Sequence, residues 1–177
     1  ITSRDPDLNP KGEAKLVLGA VTSQEIVRAS EGEISQALAE KIAPASGEQI
    51  IELQDLARIA TNKAELAQLV DWFTTAQSIG GKINLNTAPK EVLGAIPGFG
   101  EELISAIMEK REQSPFQSLA DFVRLDEFSQ ATWQECASWV SVGSSSFCLE
   151  AEGRYGEGKC TIVAIWSQGR YLYWQED

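Results

Sequence analysis

The turn Pro97-Gly98-Phe99-Gly100 is the part of this chain whose residues could hold a charged ligand. A glycine turn exposes backbone N–H groups, and the helix that follows adds those of its own first turn. Together they form a seat for a phosphate. Glu101 and Glu102 follow at once, placing two carboxylates where that phosphate would approach. From Lys82 to Leu125 the basic residues are Lys82, Lys90, Lys110, Arg111 and Arg124, five against the six acidic Glu91, Glu101, Glu102, Glu109, Glu112 and Asp121, a local net of −1. Non-specific nucleic-acid binding runs on phosphate neutralisation, so this balance points away from it, as does the formal net charge of −11 over the whole chain.

Other chemistry is thinly provided for. The chain has no histidine, which removes the usual general base and the commonest metal ligand. The carboxylate pairs Glu101 and Glu102, Asp126 and Glu127, and Glu176 and Asp177 are adjacent, and adjacent residues on a helix do not face one another. No phosphate loop, nucleophile elbow or zinc motif is present, so no catalytic residue is assigned and the chain reads as a non-enzyme. Asp5, Asp7 and Asn9 alternate as in a calcium loop, but the glycine and closing glutamate are out of place, and residues 1 to 13 read as a solvated tail. Cys136, Cys148 and Cys160 fit no metal spacing. Cys148 and Cys160 could bridge a hairpin only if its turn centred near Arg154; the alternative is buried free thiols.

The elements that carry the turn are legible. Asn86 and Thr87 are N-cap types, Pro89 suits a first helical turn, and Val92, Leu93 and Ile96 share one face. Pro97 stops this helix, Gly98 and Gly100 permit a tight reversal, and Leu103, Ile104 and Ile107 resume the stripe. The segment is a helix-hairpin-helix.

An internal repeat extends the pattern. Glu25 to Ala29 matches Glu91 to Ala95, Ala37 to Lys41 matches Ala106 to Lys110, and Leu53 to Ile59 matches Leu119 to Leu125. The division is a tail over 1–19, a first helical unit over 20–76, a second over 83–140 and strands over 144–177. Thr22 and Glu25 form a capping box. Asp55 with Arg58, and Asp121 with Arg124, are spaced as surface pairs or caps. Residues 62 to 76 are expected as a linking helix with Trp72 between the units, broken at Ile79-Gly80-Gly81. A helix over Gln130 to Val140 would carry Trp133 and Trp139 into core or seam.

From Ser144 the period falls to two. Phe147 to Glu152, Cys160 to Trp166 and Arg170 to Gln175 make three antiparallel strands, with turns over Gly153 to Gly158 and at Gln168-Gly169. Such a meander needs cover on its apolar face. The density of Trp166, Tyr171, Tyr173 and Trp174 marks a candidate partner surface. The fold class is α+β: two helix-hairpin-helix (SAM-like) units, then a short antiparallel meander.

The block from Ile83 to Leu125 resembles two families. Competence-type helix-hairpin-helix DNA binders share the asparagine-threonine-alanine start and the Pro-Gly-x-Gly hairpin. General secretion pathway protein K, the large minor pseudopilin of the type II secretion system, shares these. It also has a segment like Pro115-Phe116-Gln117-Ser118-Leu119-Ala120-Asp121-Phe122 and a β-rich C-terminus, and these features favour it. This second resemblance implies a pilin-like fold whose N-terminal membrane helix is missing here, in the periplasmic domain of an inner-membrane-anchored protein. It implies a non-catalytic place at the pseudopilus tip, among other minor pseudopilins and near secreted cargo or the outer-membrane channel. It requires no cofactor; members are associated with calcium, but no motif places the ligands, so the metal residues are unknown. The alternative is a module that binds DNA without sequence preference.

Overall fold

The computed structural model describes residues 8–45, 50–76, 81–167 and 169–176. The chain is α+β and divides into a unit ending at Val142 and a unit starting at Gly143. Among the described residues no helix is long and apolar enough to cross a membrane.

The first unit is built twice over. Its first half runs β1 (Leu16–Val17), α1 (Ser23–Ala29), α2 (Gln36–Ile42), a 3-10 turn (Leu53–Asp55), α3 (Leu56–Ile59), α4 (Lys63–Trp72) and β2 (Phe73–Thr74). Its second half runs β3 (Ile83–Asn84), α5 (Lys90–Leu93), α6 (Glu101–Gln113), α7 (Leu119–Val123), α8 (Gln130–Cys136) and β4 (Val140–Ser141). In each half the first strand pairs in parallel with the last. Leu16 faces Phe73 and Ile83 faces Val140, so each partner recurs 67 positions later (16 to 83, 73 to 140). The flanking hydrogen bonds recur at the same offset: Leu18 N–H to Thr74 O and Leu85 N–H to Ser141 O, both 2.9 Å.

Local chemistry starts the helices. The Thr22–Glu25 capping box forms at α1, and Ser35, Asn62 and Ser129 accept the N3 amides of α2, α4 and α8. At α7, Ser118 and Asp121 make a second capping box. Asn62 and Ser129 again stand 67 apart, and the residue after each reaches into the other half. Lys63 Nζ donates to Leu125 O at 2.7 Å, and Gln130 Nε2 donates to Ala60 O at 3.0 Å. Trp133 spans the same seam, its buried indole N–H donating to Leu53 O at 2.7 Å. The two halves share one continuous apolar core. Within it Phe99, Phe116 and Phe128 pack around Phe122 at 4.9 to 6.5 Å, and Phe128 meets Trp133 edge-on.

Several expectations are corrected. The helix read over 62 to 76 ends at Trp72, because Phe73 and Thr74 are taken into the pair with β1. The helix read over Gln130 to Val140 ends at Cys136 for the same reason, Val140 belonging to β4. Trp133 is core, but Trp139 is 51% exposed. Trp72 is fully buried, with Lys11 Nζ 5.6 Å above its ring and its N–H on Glu33 at 3.3 Å. The stretch read as a tail is closed from Leu8 onward by a bridge to Ala14. Buried Asn9 accepts the amides of Lys11 and Glu13 with its side chain, which is why an asparagine there is inside. Asp5, Asp7, Ile79 and Gly80 lie outside the described residues.

The second unit is an antiparallel sheet of β5 (Ser146–Tyr155), β6 (Gly158–Ser167) and β7 (Arg170–Glu176), in that order. The first turn is shorter than Gly153 to Gly158. Gly153 and Arg154 pair with Cys160 and Lys159, and the reversal falls at Gly156-Glu157, where Gly156 takes φ +58°. A turn centred there sets Cys148 opposite Ile165 and Cys160 opposite Gly153, so the two thiols cannot meet. All three cysteines are free, and burial pushes the Cys136 thiol up to about 12, which keeps it protonated and inert. Of the second turn, Gln168 is outside the described residues and Gly169 takes φ +80°.

The two Asp–Arg pairs form as the spacing predicts, but they are not equivalent. Among the described residues Arg58 pairs with Asp55 alone, at 3.0 Å. Arg124 meets Asp121 at 3.2 Å and also the buried Asp71 of α4 at 3.6 Å, whose Oδ1 has no hydrogen bond among the described residues. Arg58→Ala should cost less than about 1 kcal/mol of unfolding free energy. Arg124→Ala leaves a buried carboxylate uncompensated and should cost roughly 2 kcal/mol or more. Urea unfolding of both variants checks this; equal losses would refute the role of Asp71.

Candidate functional site

The hairpin is entered from β3 by a tight fold. Asn84 Oδ1 accepts the amide of Asn86 at 2.9 Å, and Asn84 O accepts those of Thr87 and Ala88. The next helix, α5, is a single turn capped by Pro89 without any side-chain bond. Asn86 and Thr87 therefore do not cap it. Thr87 is exposed, and Asn86 serves a longer-range purpose. Its Nδ2 donates to Phe116 O at 3.0 Å and Val142 O at 2.9 Å, while its Oδ1 accepts Phe116 N–H at 2.8 Å. One amide side chain thus fastens the hairpin entry to the lead-in of α7 and to the end of β4. Only an amide offers two donors and an acceptor together.

The reversal depends on one glycine. Gly98 takes φ +79°, which a side chain would resist, and an added Cβ would come within 3.0 Å of Glu135 Oε2. Gly100, expected to share the task, has the ordinary extended φ of −90° at the N-cap of α6. Pro97 is exposed. Phe99 is half-buried with its ring 5.5 Å from Phe122, which makes it a packing residue. Leu93 and Ile96 are buried as the stripe requires, but Val92 faces out.

Charge around the turn is negative. Glu101 and Glu102 occupy the first turn of α6, where their charge offsets the helix dipole. Glu135 reaches over Gly98 from α8. The nearby cations are engaged. Lys90 pairs with Glu101 at 2.9 Å, and Lys110 donates to Ser114 Oγ at 2.8 Å. Arg111 donates to Leu85 O at 3.1 Å and Ala88 O at 2.7 Å, and Arg124 is held by Asp71 and Asp121. A phosphate arriving here would meet three carboxylates. Glu135 has no part in the sequence reading, and Arg111 enters it only as one of five basic charges. The repeat held a signal for Glu135: Gln68, 67 positions earlier, donates to Glu33 O beside the first reversal.

The second candidate surface is on the sheet. Phe147 and Trp166 face each other across β5 and β6, ring centroids 5.9 Å apart, and Tyr171 meets Trp174 edge-on at 5.4 Å. Pairing and these contacts put Trp166, Tyr171 and Trp174 on one face with Phe147 and Leu149. Tyr173 pairs with Ile165 and hydrogen-bonds Gln175 on the other face, so it leaves the group. A register shift between Ile165 and Trp166 is what allows Tyr171 and Trp174 to share a face. Tyr171 and Trp174 are 59% and 53% exposed. Among the described residues no three His, Cys, Asp or Glu side chains stand together to hold a metal ion, so no calcium ligands are assigned.

Residues 83–142 match the family model of type II secretion system (T2SS), protein K. A 59-residue stretch, 33% of this chain, is 39% identical to DNA polymerase III subunit alpha of Chlamydia muridarum (strain MoPn / Nigg) and covers 5% of that protein's length. No solved structure matches. The chain is thus similar to secretion protein K over the span that holds the hairpin, the Asn86 contacts and Trp133.

Asn86→Ala removes three hydrogen bonds and leaves two carbonyls and one amide without that partner. It should cost roughly 2 to 4 kcal/mol, at about 1 kcal/mol or slightly more per bond. Asn86→Asp should be worse at neutral pH, because an ionised carboxylate would face two carbonyl oxygens. Thermal melts of both variants check this; a loss under about 0.5 kcal/mol for Asn86→Ala, the range of unimportant surface changes, would contradict the fastening role.

Proposed function

We propose that this chain is part of a non-enzymatic structural subunit of the type II secretion system. The subunit is a K-type minor pseudopilin at the tip of the pseudopilus, which assembles with other minor pseudopilins to support export of folded proteins. The observation that carries the reading is the protein K match over residues 83–142. The chemistry of that span agrees with it. Its best ligand-binding turn is ringed by Glu101, Glu102 and Glu135, and its polar side chains are spent on fastening backbone segments. In this reading the two helical halves are SAM-like helix-hairpin-helix units acting as a rigid body. The aromatic sheet face of Trp166, Tyr171 and Trp174 belongs to a pilin-like domain and contacts neighbouring subunits. The chain works in the periplasm, tethered through the inner membrane, near secreted cargo or the outer-membrane channel.

A second reading, a DNA-binding helix-hairpin-helix module, draws support from the 59-residue likeness to a DNA polymerase subunit. The engaged cations and the carboxylates at the turn weigh against it.

Deleting the gene should stop release of folded type II substrates, which should then accumulate in the periplasm, and the full-length protein should restore release. The purified full-length protein should also co-elute with the other minor pseudopilins of its own system. Normal secretion in the deletion strain, together with no co-elution, would reject the reading.

A further inference from the structure

The first reversal of the helical unit carries a glutamate where the second carries a glycine. Glu31 takes φ +51°, and among the described residues no other non-glycine residue stands in the left-handed region. Its counterpart 67 positions on is Gly98, at φ +79°. A side chain at such a position costs conformational energy that glycine does not, and strain of this kind points to a task for the side chain. The Glu31 carboxylate holds the Lys11 ammonium at 2.8 Å. The same ammonium donates to Ala29 O at 3.0 Å, at the C-terminal end of α1 where the helix dipole favours a cation. It also lies 5.6 Å over the ring of the fully buried Trp72.

Lys11 belongs to a turn that is complete in itself. Leu8 bridges to Ala14, Asn9 N–H donates to Glu13 O at 2.7 Å, and Gly12 N–H donates to Asn9 O at 3.0 Å. Asn9 Oδ1 accepts the amides of Lys11 and Glu13. No apolar side chain of residues 8 to 14 belongs to the core or packs against it, whereas Leu16 packs against it and Leu18 is part of it. The Glu31 side chain that grips the turn is itself 78% exposed. A segment tied internally, lending nothing to the core and fixed by a solvent-exposed charge pair, opens at lower free energy than its surroundings.

We propose that residues 8–14 form a strap that opens from the helical unit as one piece, with the Lys11–Glu31 contact as its lock. Closed, the strap holds the start of the chain close to the first reversal. Open, it leaves the chain anchored from Lys15 onward, whose ammonium stays on Val70 O at 3.0 Å and whose neighbour Leu16 is paired in β1. The stretch from Leu8 to Lys15 then adds roughly 25 Å of reach, at about 3.5 Å per residue. The strap is a two-position connection between the helical unit and whatever the preceding residues hold. It does not rest on the functional reading.

Trypsin tests the lock directly. To cut the Lys11–Gly12 bond it must take the Lys11 side chain into its own pocket, so the lock has to be open. When opening is fast against cleavage, the rate follows the open population. The full chain is digested at limiting trypsin and each cut is located by mass spectrometry. Glu31→Gly and Glu31→Gln should each raise cutting after Lys11 about threefold to fivefold, the range that loss of an exposed ion pair allows. Glu31→Gly should melt no lower than the parent, because glycine suits the left-handed position. Cutting after Lys15 should stay at the parent rate in both variants. Parent-like cutting after Lys11 in both variants would overturn the lock. Cutting after Lys11 and Lys15 that rises together, or a Glu31→Gly melt well below the parent, would show that the turn opens only with the whole unit, and would overturn the strap.

Discussion

Everything in the helical unit depends on how the two ends of each half are tied together. Parallel strands need a long crossover between them, and here the crossover is a whole bundle of short helices. The tie itself is only two residues deep, Leu16–Val17 on Phe73–Thr74 and Ile83–Asn84 on Val140–Ser141. Pairs that short do not hold alone. They hold because each half also lends side chains to the other: Lys63 to the end of α7, Gln130 to the end of α3, and Trp133 to Leu53. The halves then bury one apolar core between them, and neither set of short helices has enough of its own to be stable without it.

The hairpin takes its meaning from that constraint. In isolation, a glycine turn leading into a helix is an anion seat. Inside this unit it is a corner between α5 and α6, held to the hairpin entry by Arg111 and met by Glu135 of α8. Arg111 spends donors on the Leu85 and Ala88 carbonyls of the hairpin entry, Asn86 spends its own on Phe116 and Val142, and Glu135 fills the space beside Gly98. The same side chains that make the corner rigid thus make it unattractive to phosphate.

How much of this was legible in the sequence follows from the range of each interaction. Caps and turns are local, so the Thr22–Glu25 box, the Asp–Arg pairs and the positive φ of Gly98 could be read from neighbouring residues. The strand period over the last thirty or so residues was equally plain. What misled was competition between local and tertiary demand. Phe73 and Val140 continue helical stripes, yet each is drawn into a strand by a partner more than fifty residues away. Asn86 has a cap-type side chain but its partners are thirty and fifty-six residues distant. The turn lies near Gly156, not Gly153, because Gly153 and Arg154 are paired within the ladder and the left-handed position falls on Gly156.

The central claim is that the hairpin is a structural corner and not a phosphate seat. The direct measurement is fluorescence anisotropy of a labelled DNA duplex titrated with this chain at low salt and again at physiological salt. The account predicts no binding even at low salt, where electrostatic attraction is greatest. Binding that is present at low salt and weakens steeply as salt is added would mean that the turn holds phosphates despite Glu101, Glu102 and Glu135, and would contradict it.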